Sequence, residues 1–65
     1  MKSNYAVSVL MSSTSGVVTH VICVYYDVTE AEAKGKAVVN SLEANSGFSI
    51  ASVVSLEIRC AGGSE

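Results

Sequence analysis

The hydrophobic pattern of this 65-residue chain changes its period along the sequence, and this change limits the possible folds more than any other feature. Apolar and polar residues alternate over residues 5–12 and again over residues 48–60, which is the period of a strand. Residues 17–28 form a run rich in β-branched and aromatic residues, and only the segment after it has the period of a helix. The predicted order is therefore strand, strand, helix, strand.

Local signals support each boundary. Residues 13–16, Ser-Thr-Ser-Gly, supply turn chemistry between the first two strands, which predicts a β-hairpin. Thr29 is the predicted N-cap of the helix, with Glu32 completing a capping box, and Gly47 is the predicted C′ residue. Gly35 lies on the predicted apolar stripe of the helix and indicates either a close approach to the sheet or a tolerated glycine. That stripe consists of Ala31, Gly35, Val38, Val39 and Leu42.

The chirality of crossover connections then fixes the topology. A right-handed crossover makes the last strand parallel to the second, so the first strand can lie between them and antiparallel to both. The prediction is an α+β fold, ββαβ, with a three-stranded antiparallel sheet in the order 2-1-3 and one helix on one face, which is half of a ferredoxin-like sandwich. We expect a single domain over residues 1–65, in which residues 60–65 form a flexible tail.

Composition excludes several classes of protein. The chain is 49% hydrophobic and 15% charged, which is too apolar for a disordered chain, yet no apolar run approaches the ~20 residues that span a bilayer. A net charge of −2 argues against a binder of nucleic-acid phosphates, and two cysteines are too few for a disulfide scaffold. Serines interrupt the apolar N-terminal stretch, so we expect no signal peptide and a cytoplasmic location.

The second strand is apolar on both sides, although one helix can cover only one face of the sheet. We therefore expect something outside the chain to cover the other face: a second copy, by edge pairing or sheet stacking, or another protein. A monomer with ordinary exposed residues is the alternative. Val17, Val21 and Tyr25 are assigned to the uncovered face, whereas Tyr26 and Val28 are assigned to the opposite one.

A set of six residues is predicted to bind the partner. Tyrosine brings a large area and a polar tip to an interface. Acidic residues at the start of the helix could face a basic partner, although such a set is more often simply a solvated helix face. The six residues are Tyr25, Tyr26, Val17, Val21, Glu30 and Glu32.

The sequence contains no recognisable catalytic motif. His20 is the only histidine and has no carboxylate or cysteine at metal-ligand spacing. Cys23 and Cys60 fall on opposite outer strands, about 9.6 Å apart, which is too far for the ~7 Å limit of a disulfide. We expect no catalytic residues, no metal site and no cofactor, so the chain is predicted not to be an enzyme.

Residues 27–37 close a strand and open an alanine-rich helix, and in this they resemble small ββαβ modules of phage and prophage proteins. Similar half-ferredoxin modules occur in ribosomal proteins. A compact, mildly acidic chain of this size also resembles anti-CRISPR and other anti-defence inhibitors. The resemblance implies a phage- or mobile-element-encoded inhibitor that blocks a host defence protein, such as a CRISPR–Cas complex, by steric occlusion. The alternative is a small nucleic-acid-associated or structural assembly module, and no membrane partner is expected.

Overall fold

The computed structural model describes residues 1–61, which form one three-stranded sheet and one long helix. The strands are β1 (Ser3–Ser12), β2 (Val18–Val28) and β3 (Val53–Cys60); the helix α1 (Glu30–Ala44) and a 3₁₀ turn (Ile50–Ser52) connect β2 to β3. The spatial order is β2-β1-β3, and both outer strands are antiparallel to β1. The predicted α+β, ββαβ fold and its strand order are confirmed.

The β1–β2 turn sets the register of the hairpin. Ser13 N–H donates to the Val17 carbonyl at 2.9 Å, and Gly16 N–H donates to the Ser13 carbonyl at 3.1 Å. Gly16 has a φ of +92°, which glycine adopts without the steric cost that a Cβ would add. Ser12 consequently pairs with Val18, so that even-numbered residues of the two strands share one face of the sheet near the turn.

The helix begins as predicted. Thr29 Oγ1 accepts a hydrogen bond from Glu32 N–H at 3.1 Å, and Glu32 Oε1 accepts one from Thr29 N–H at 2.9 Å. This reciprocal capping box satisfies donors that would otherwise lack a partner in the first helical turn.

The helix ends differently from the prediction. Ala44 is its last residue and Asn45 is the C-cap, where both the backbone N–H and Nδ2 of Asn45 donate to the Ser41 carbonyl, at 3.1 and 3.0 Å. Asn45 has a φ of −129°, outside the left-handed region, so this end does not need a glycine. The assignment of Gly47 as the C′ residue was wrong.

Small side chains face the sheet from the helix. Ala33, Ala37 and Ser41 recur every four residues and are fully buried, which lets the helix backbone approach the sheet closely. Val39 of the predicted stripe is exposed, and a Cβ built on Gly35 would meet no atom within 4 Å. Leu42 of the stripe packs against the core, so the predicted stripe was only partly right: the face that the helix buries is centred on Ala33, Ala37 and Ser41. Gly35 fits the alternative of a tolerated glycine, and the close approach predicted there was wrong.

The core lies between this helix face and the middle strand. Val7, Val9 and Met11 of β1 are fully buried, and Ala33 and Ala37 cover them. The helix lies over β1 and β2 and makes its fewest contacts with β3. The core is therefore narrow, and the helix-side residues Leu56 and Ile58 of β3 are only half-buried.

A bulge at the end of β2 turns Val28 into the core. Ser3 pairs with Val28 but Tyr5 pairs with Tyr25, so β2 carries one extra residue here. Asp27 has a φ of +58°, and its N–H donates to Asn4 Oδ1 at 3.0 Å. Strict alternation placed Val28 on the same face as Tyr26, and that assignment was wrong because the bulge reverses the alternation.

The last strand is shorter than predicted and also contains an irregularity. The 3₁₀ turn replaces its first part and leaves Ile50 exposed. Val53 pairs with Met11 and Ser55 with Leu10, so Val54 is the extra residue of a bulge and points to solvent, whereas Val53 packs against the core. The single alternating strand predicted over residues 48–60 was wrong in this first half.

Ordered structure continues into the predicted tail. Cys60 pairs with Tyr5 as the last residue of β3, and Ala61 N–H donates to the Asn4 carbonyl at 2.9 Å. The rest of that tail, residues 62–65, lies outside the described residues.

Candidate functional site

The face of the sheet that α1 leaves uncovered, here called the open face, is the candidate site. Its residues form rows across the three strands, because β1 pairs in register with both neighbours. From one end to the other, the rows are Val24–Ala6–Arg59, Ile22–Ser8–Glu57 and His20–Leu10–Ser55. One outer strand therefore presents mainly apolar side chains to this face, and the other presents polar and charged ones.

Four large apolar side chains of β2 project from the open face. Val18, Ile22, Val24 and Tyr26, here called the β2 strip, have exposed fractions between 44% and 69%. An antiparallel sheet that faces water usually carries polar residues on that side. Large apolar side chains clustered along an outer strand, here interrupted by the exposed His20, are instead typical of a surface that contacts another protein.

A groove runs along β1 on the same face. Its floor is formed by the small residues Ala6 and Ser8, which lie below the side chains of both neighbouring strands. Ile22 and His20 line the β2 side, Glu57 and Arg59 line the β3 side, and the groove has a volume of about 680 Å³. The shape could accept an extended segment with one apolar edge and one polar edge.

Of the predicted binding set, the structure places Tyr26 on this face. Tyr26 belongs to the β2 strip, and Val17 is exposed in the turn just before β2. Val21 and Tyr25 instead face α1, are half-buried and pack against the core. Their assignment to the uncovered face was wrong, because the register of the hairpin places them on the same side as Val9 and Tyr5.

Tyr25 connects the sheet to the helix. Its hydroxyl oxygen accepts a hydrogen bond from Asn40 Nδ2 of α1. Burial, together with a hydrogen bond to Cys23, raises the pKa of Tyr25 above its ordinary value, although the bond from Asn40 opposes the shift. The ring and hydroxyl of Tyr25 therefore support the fold, which is a different role from the one predicted for it.

The two predicted acidic residues contact groups of their own helix or of its N-cap. Glu30 pairs with Lys34 one turn later at 3.1 Å, and the carboxylate of Glu32 closes the capping box. The hydrogen bond from the Thr29 backbone lowers the pKa of Glu32 below its ordinary value. Both side chains are exposed, and their contacts agree with the alternative of a solvated helix start.

The other candidate residues are spread over the sheet. His20 is exposed beside the groove, while Cys23 and Cys60 are free and lie on the two outer strands, as their predicted positions require. Within residues 1–61, no group of three or more His, Cys, Asp or Glu side chains is placed to hold a metal ion. In the same range, no helix combines the length and apolar character needed to cross a bilayer.

Sequence reasoning missed Val18, Ile22 and Val24 as binding candidates. The length of the hairpin connection indicates which residues of β1 and β2 share a face. Once Ser12 is paired with Val18, residues of equal parity share a face, so the strongly apolar positions of β1, such as Val7 and Val9, share theirs with Val21 and Cys23. The even-numbered residues of β2 are then left for the open face.

Comparison of the chain with protein-family models, with curated proteins and with solved structures gives no match. The geometry of the chain itself is therefore the guide to its function.

Proposed function

We propose that this chain acts by binding another protein through the open face of its sheet, without catalysing a reaction. The observation that carries the proposal is the β2 strip, Val18, Ile22, Val24 and Tyr26, which stays exposed while the helix packs on the opposite face of the sheet. Transfer of such side chains from water into an interface is favourable, at roughly 25 cal/mol for each Å² of apolar surface that is buried.

The strip has the composition of an interface centre. Charged residues are depleted at the centres of interfaces, and the strip contains none, while Tyr26 supplies a rigid aromatic side chain at one end. The groove beside the strip adds Glu57 and Arg59, which could determine the orientation of a partner through hydrogen bonds at the rim.

The specific form of the proposal is an inhibitor. We propose that the chain is encoded by a phage or another mobile element and occludes a surface of a host defence protein, such as a CRISPR–Cas complex. The support is the resemblance in size, acidity and ββαβ architecture to anti-CRISPR inhibitors. The proposed binding surface does not include the acidic residues Glu30 and Glu32, because their side chains contact Lys34 and the N-cap residue Thr29.

The binding test compares two variants that differ in the face they alter. Ile22→Asp places a charge in the centre of the β2 strip, and Val39→Asp places one on the exposed side of α1. Each tagged chain is used to capture proteins from a bacterial host, and any captured protein is purified and titrated by calorimetry. We expect wild type and Val39→Asp to bind with similar affinity and Ile22→Asp to lose binding. Equal binding by all three would contradict the proposed surface.

The inhibitor form needs its own measurement. The chain is expressed in bacteria whose CRISPR–Cas system restricts a phage, and the efficiency of plaque formation is measured. We expect plaques to return with wild type and Val39→Asp but not with Ile22→Asp. If the chain binds a host protein through the β2 strip but never restores plaques, the binding proposal stands and the inhibitor proposal is contradicted.

A further inference from the structure

We propose that two copies of this chain pair through their β3 edges, in the antiparallel register that places Ile58 of each copy on the two-fold axis. The sheet would then continue through six strands. This proposal concerns the edge of the sheet opposite the β2 strip, so it goes beyond the partner-binding function proposed above and gives the predicted homodimer a specific surface.

Among residues 1–61, only β1 pairs with β3, so the outer side of β3 has no strand partner in this range. The hydrogen bond from Ala61 N–H to the Asn4 carbonyl shows that alternate residues of this strand, including Arg59 and Glu57, direct their backbone groups toward β1. Those of Cys60, Ile58 and Leu56 therefore point outward. An edge of this kind is a template for another strand unless the protein protects it.

Charge complementarity selects the second copy as the occupant. In a two-fold antiparallel pairing with Ile58 on the axis, Glu57 lies opposite Arg59 of the second copy, and Arg59 lies opposite its Glu57. These would be non-hydrogen-bonded pairs, in which the side chains come closest, with Cα atoms about 4.5 Å apart. An axis at Glu57 would place the two Glu57 side chains opposite each other. An axis at Arg59 would do the same for the two Arg59 side chains. Of these three registers, only one has attractive pairs.

The other side of the same edge is apolar and only partly covered. The helix makes its fewest contacts with β3, so Leu56 and Ile58 remain half-buried on the helix side. In the proposed register, Ile58 meets its own copy and Leu56 meets Cys60 of the second copy. One interface would thus bury apolar surface on the helix side and pair charges on the open face.

The pairing would also arrange the partner-binding surfaces. A two-fold axis at this edge is perpendicular to the sheet, so both open faces point the same way and both helices lie on the other side. The two β2 strips then flank a continuous sheet at its outer edges. A dimer of this form would present two equivalent binding strips to a symmetric or repeated partner.

Charge reversal tests the proposed register. Arg59→Glu places two carboxylates opposite each other at both pairs, and Glu57→Arg places two guanidinium groups there. We expect each single variant to raise the Kd of the dimer by about tenfold or more, and the double variant Glu57→Arg/Arg59→Glu to recover it, because the exchanged charges are again complementary. An equal mixture of the two single variants should form a heterodimer.

The measurement is mass by light scattering and sedimentation over a range of micromolar concentrations, with circular dichroism to establish that each variant is folded. A wild-type mass that stays at 6.7 kDa throughout this range would overturn the proposal. So would a dimer that the charge reversals leave unchanged. Because these readouts need no partner protein, their failure is distinguishable from failure of the function proposed above.

Cross-linking gives a second readout that identifies the register. Glu57→Cys and Arg59→Cys are prepared separately, each with Cys23→Ser and Cys60→Ser, and then mixed under mild oxidation. The mixture should form a disulfide between position 57 of one copy and position 59 of the other, while the second Glu57–Arg59 pair is kept. Glu57→Cys alone should cross-link much more slowly, because its two copies would be roughly 8 Å apart on the diagonal. Equal rates would exclude this register.

Discussion

The two faces of this sheet are built from the same three strands but differ in what covers them. On the helix side, Val7, Val9 and Met11 are fully buried beneath α1. On the open face, the neighbouring positions of β1 are Ala6, Ser8 and Leu10, and the largest apolar side chains belong to β2. Hydrophobicity alone does not show which face is buried, because β2 carries apolar residues on both. The position of the helix separates them, and it makes one face a core and the other a surface.

The largest predicted effect is a difference in stability between two valine-to-alanine substitutions, one on each face. Val9 has no exposed surface and Val18 is 63% exposed, so Val9→Ala and Val18→Ala remove the same atoms from opposite environments. We expect Val9→Ala to lower the free energy of unfolding by about 2–3 kcal/mol, through lost burial and a cavity, and Val18→Ala to change it by less than about 0.5 kcal/mol. Urea unfolding followed by circular dichroism measures both. Similar losses would mean that the open face is covered in solution.

Two adjacent tyrosines make the comparison sharper. Tyr25→Ala should cost about 2 kcal/mol of stability, because the ring packs against the core and its hydroxyl accepts from Asn40, whereas Tyr26→Ala should cost less than about 0.5 kcal/mol. The affinity for the partner should respond in the opposite way: when only folded protein is compared, Tyr26→Ala should lose more affinity than Tyr25→Ala. Calorimetric titration alongside thermal unfolding tests both halves. Greater loss of binding by a fully folded Tyr25→Ala would contradict this assignment of faces.

The fold was largely predictable because it depends on periodicity and capping. The change from strand to helix period, the Thr29–Glu32 capping box and the glycine in the turn are local signals, and the chirality of the crossover then leaves few topologies. The irregular positions were not predictable from alternation alone. The bulges at Asp27 and Val54 each add one residue to a strand and reverse the alternation beyond it. For this reason Val28 and Val53 face the core although a strict period of two places them elsewhere.

The candidate site was only partly predictable for a related reason. The sequence shows that β2 is apolar on both sides, but the face that the helix covers depends on the register of the hairpin and on which helix residues turn inward. Ala33, Ala37 and Ser41 are too small to stand out in a hydrophobic pattern, yet they form the contact face. The covered face was therefore misassigned, which placed Tyr25 in the binding set and left Ile22 out.

The covered face also leads to a prediction in which a substitution raises the stability of the fold. Ser41 is fully buried, and its Oγ has no hydrogen-bond partner among residues 1–61. Removal of an unsatisfied buried hydroxyl and gain of a better helix former both favour alanine. We expect Ser41→Ala to raise the free energy of unfolding by about 1 kcal/mol in urea unfolding. A loss of stability would show that the hydroxyl has a partner in solution.

The smallest effect concerns the start of the helix, away from both faces. The Thr29 backbone hydrogen bond lowers the pKa of Glu32, so the folded state binds this proton less readily than the unfolded state does. The stabilising contribution is therefore complete above the unfolded pKa of about 4.5 and is lost as the pH falls through the lower, folded value. Glu32→Gln keeps an oxygen that can accept from Thr29 N–H but does not titrate. The thermal midpoint of this variant should fall less than that of wild type below about pH 4.5. Parallel profiles would mean that the capping carboxylate contributes nothing to the acid sensitivity of the fold.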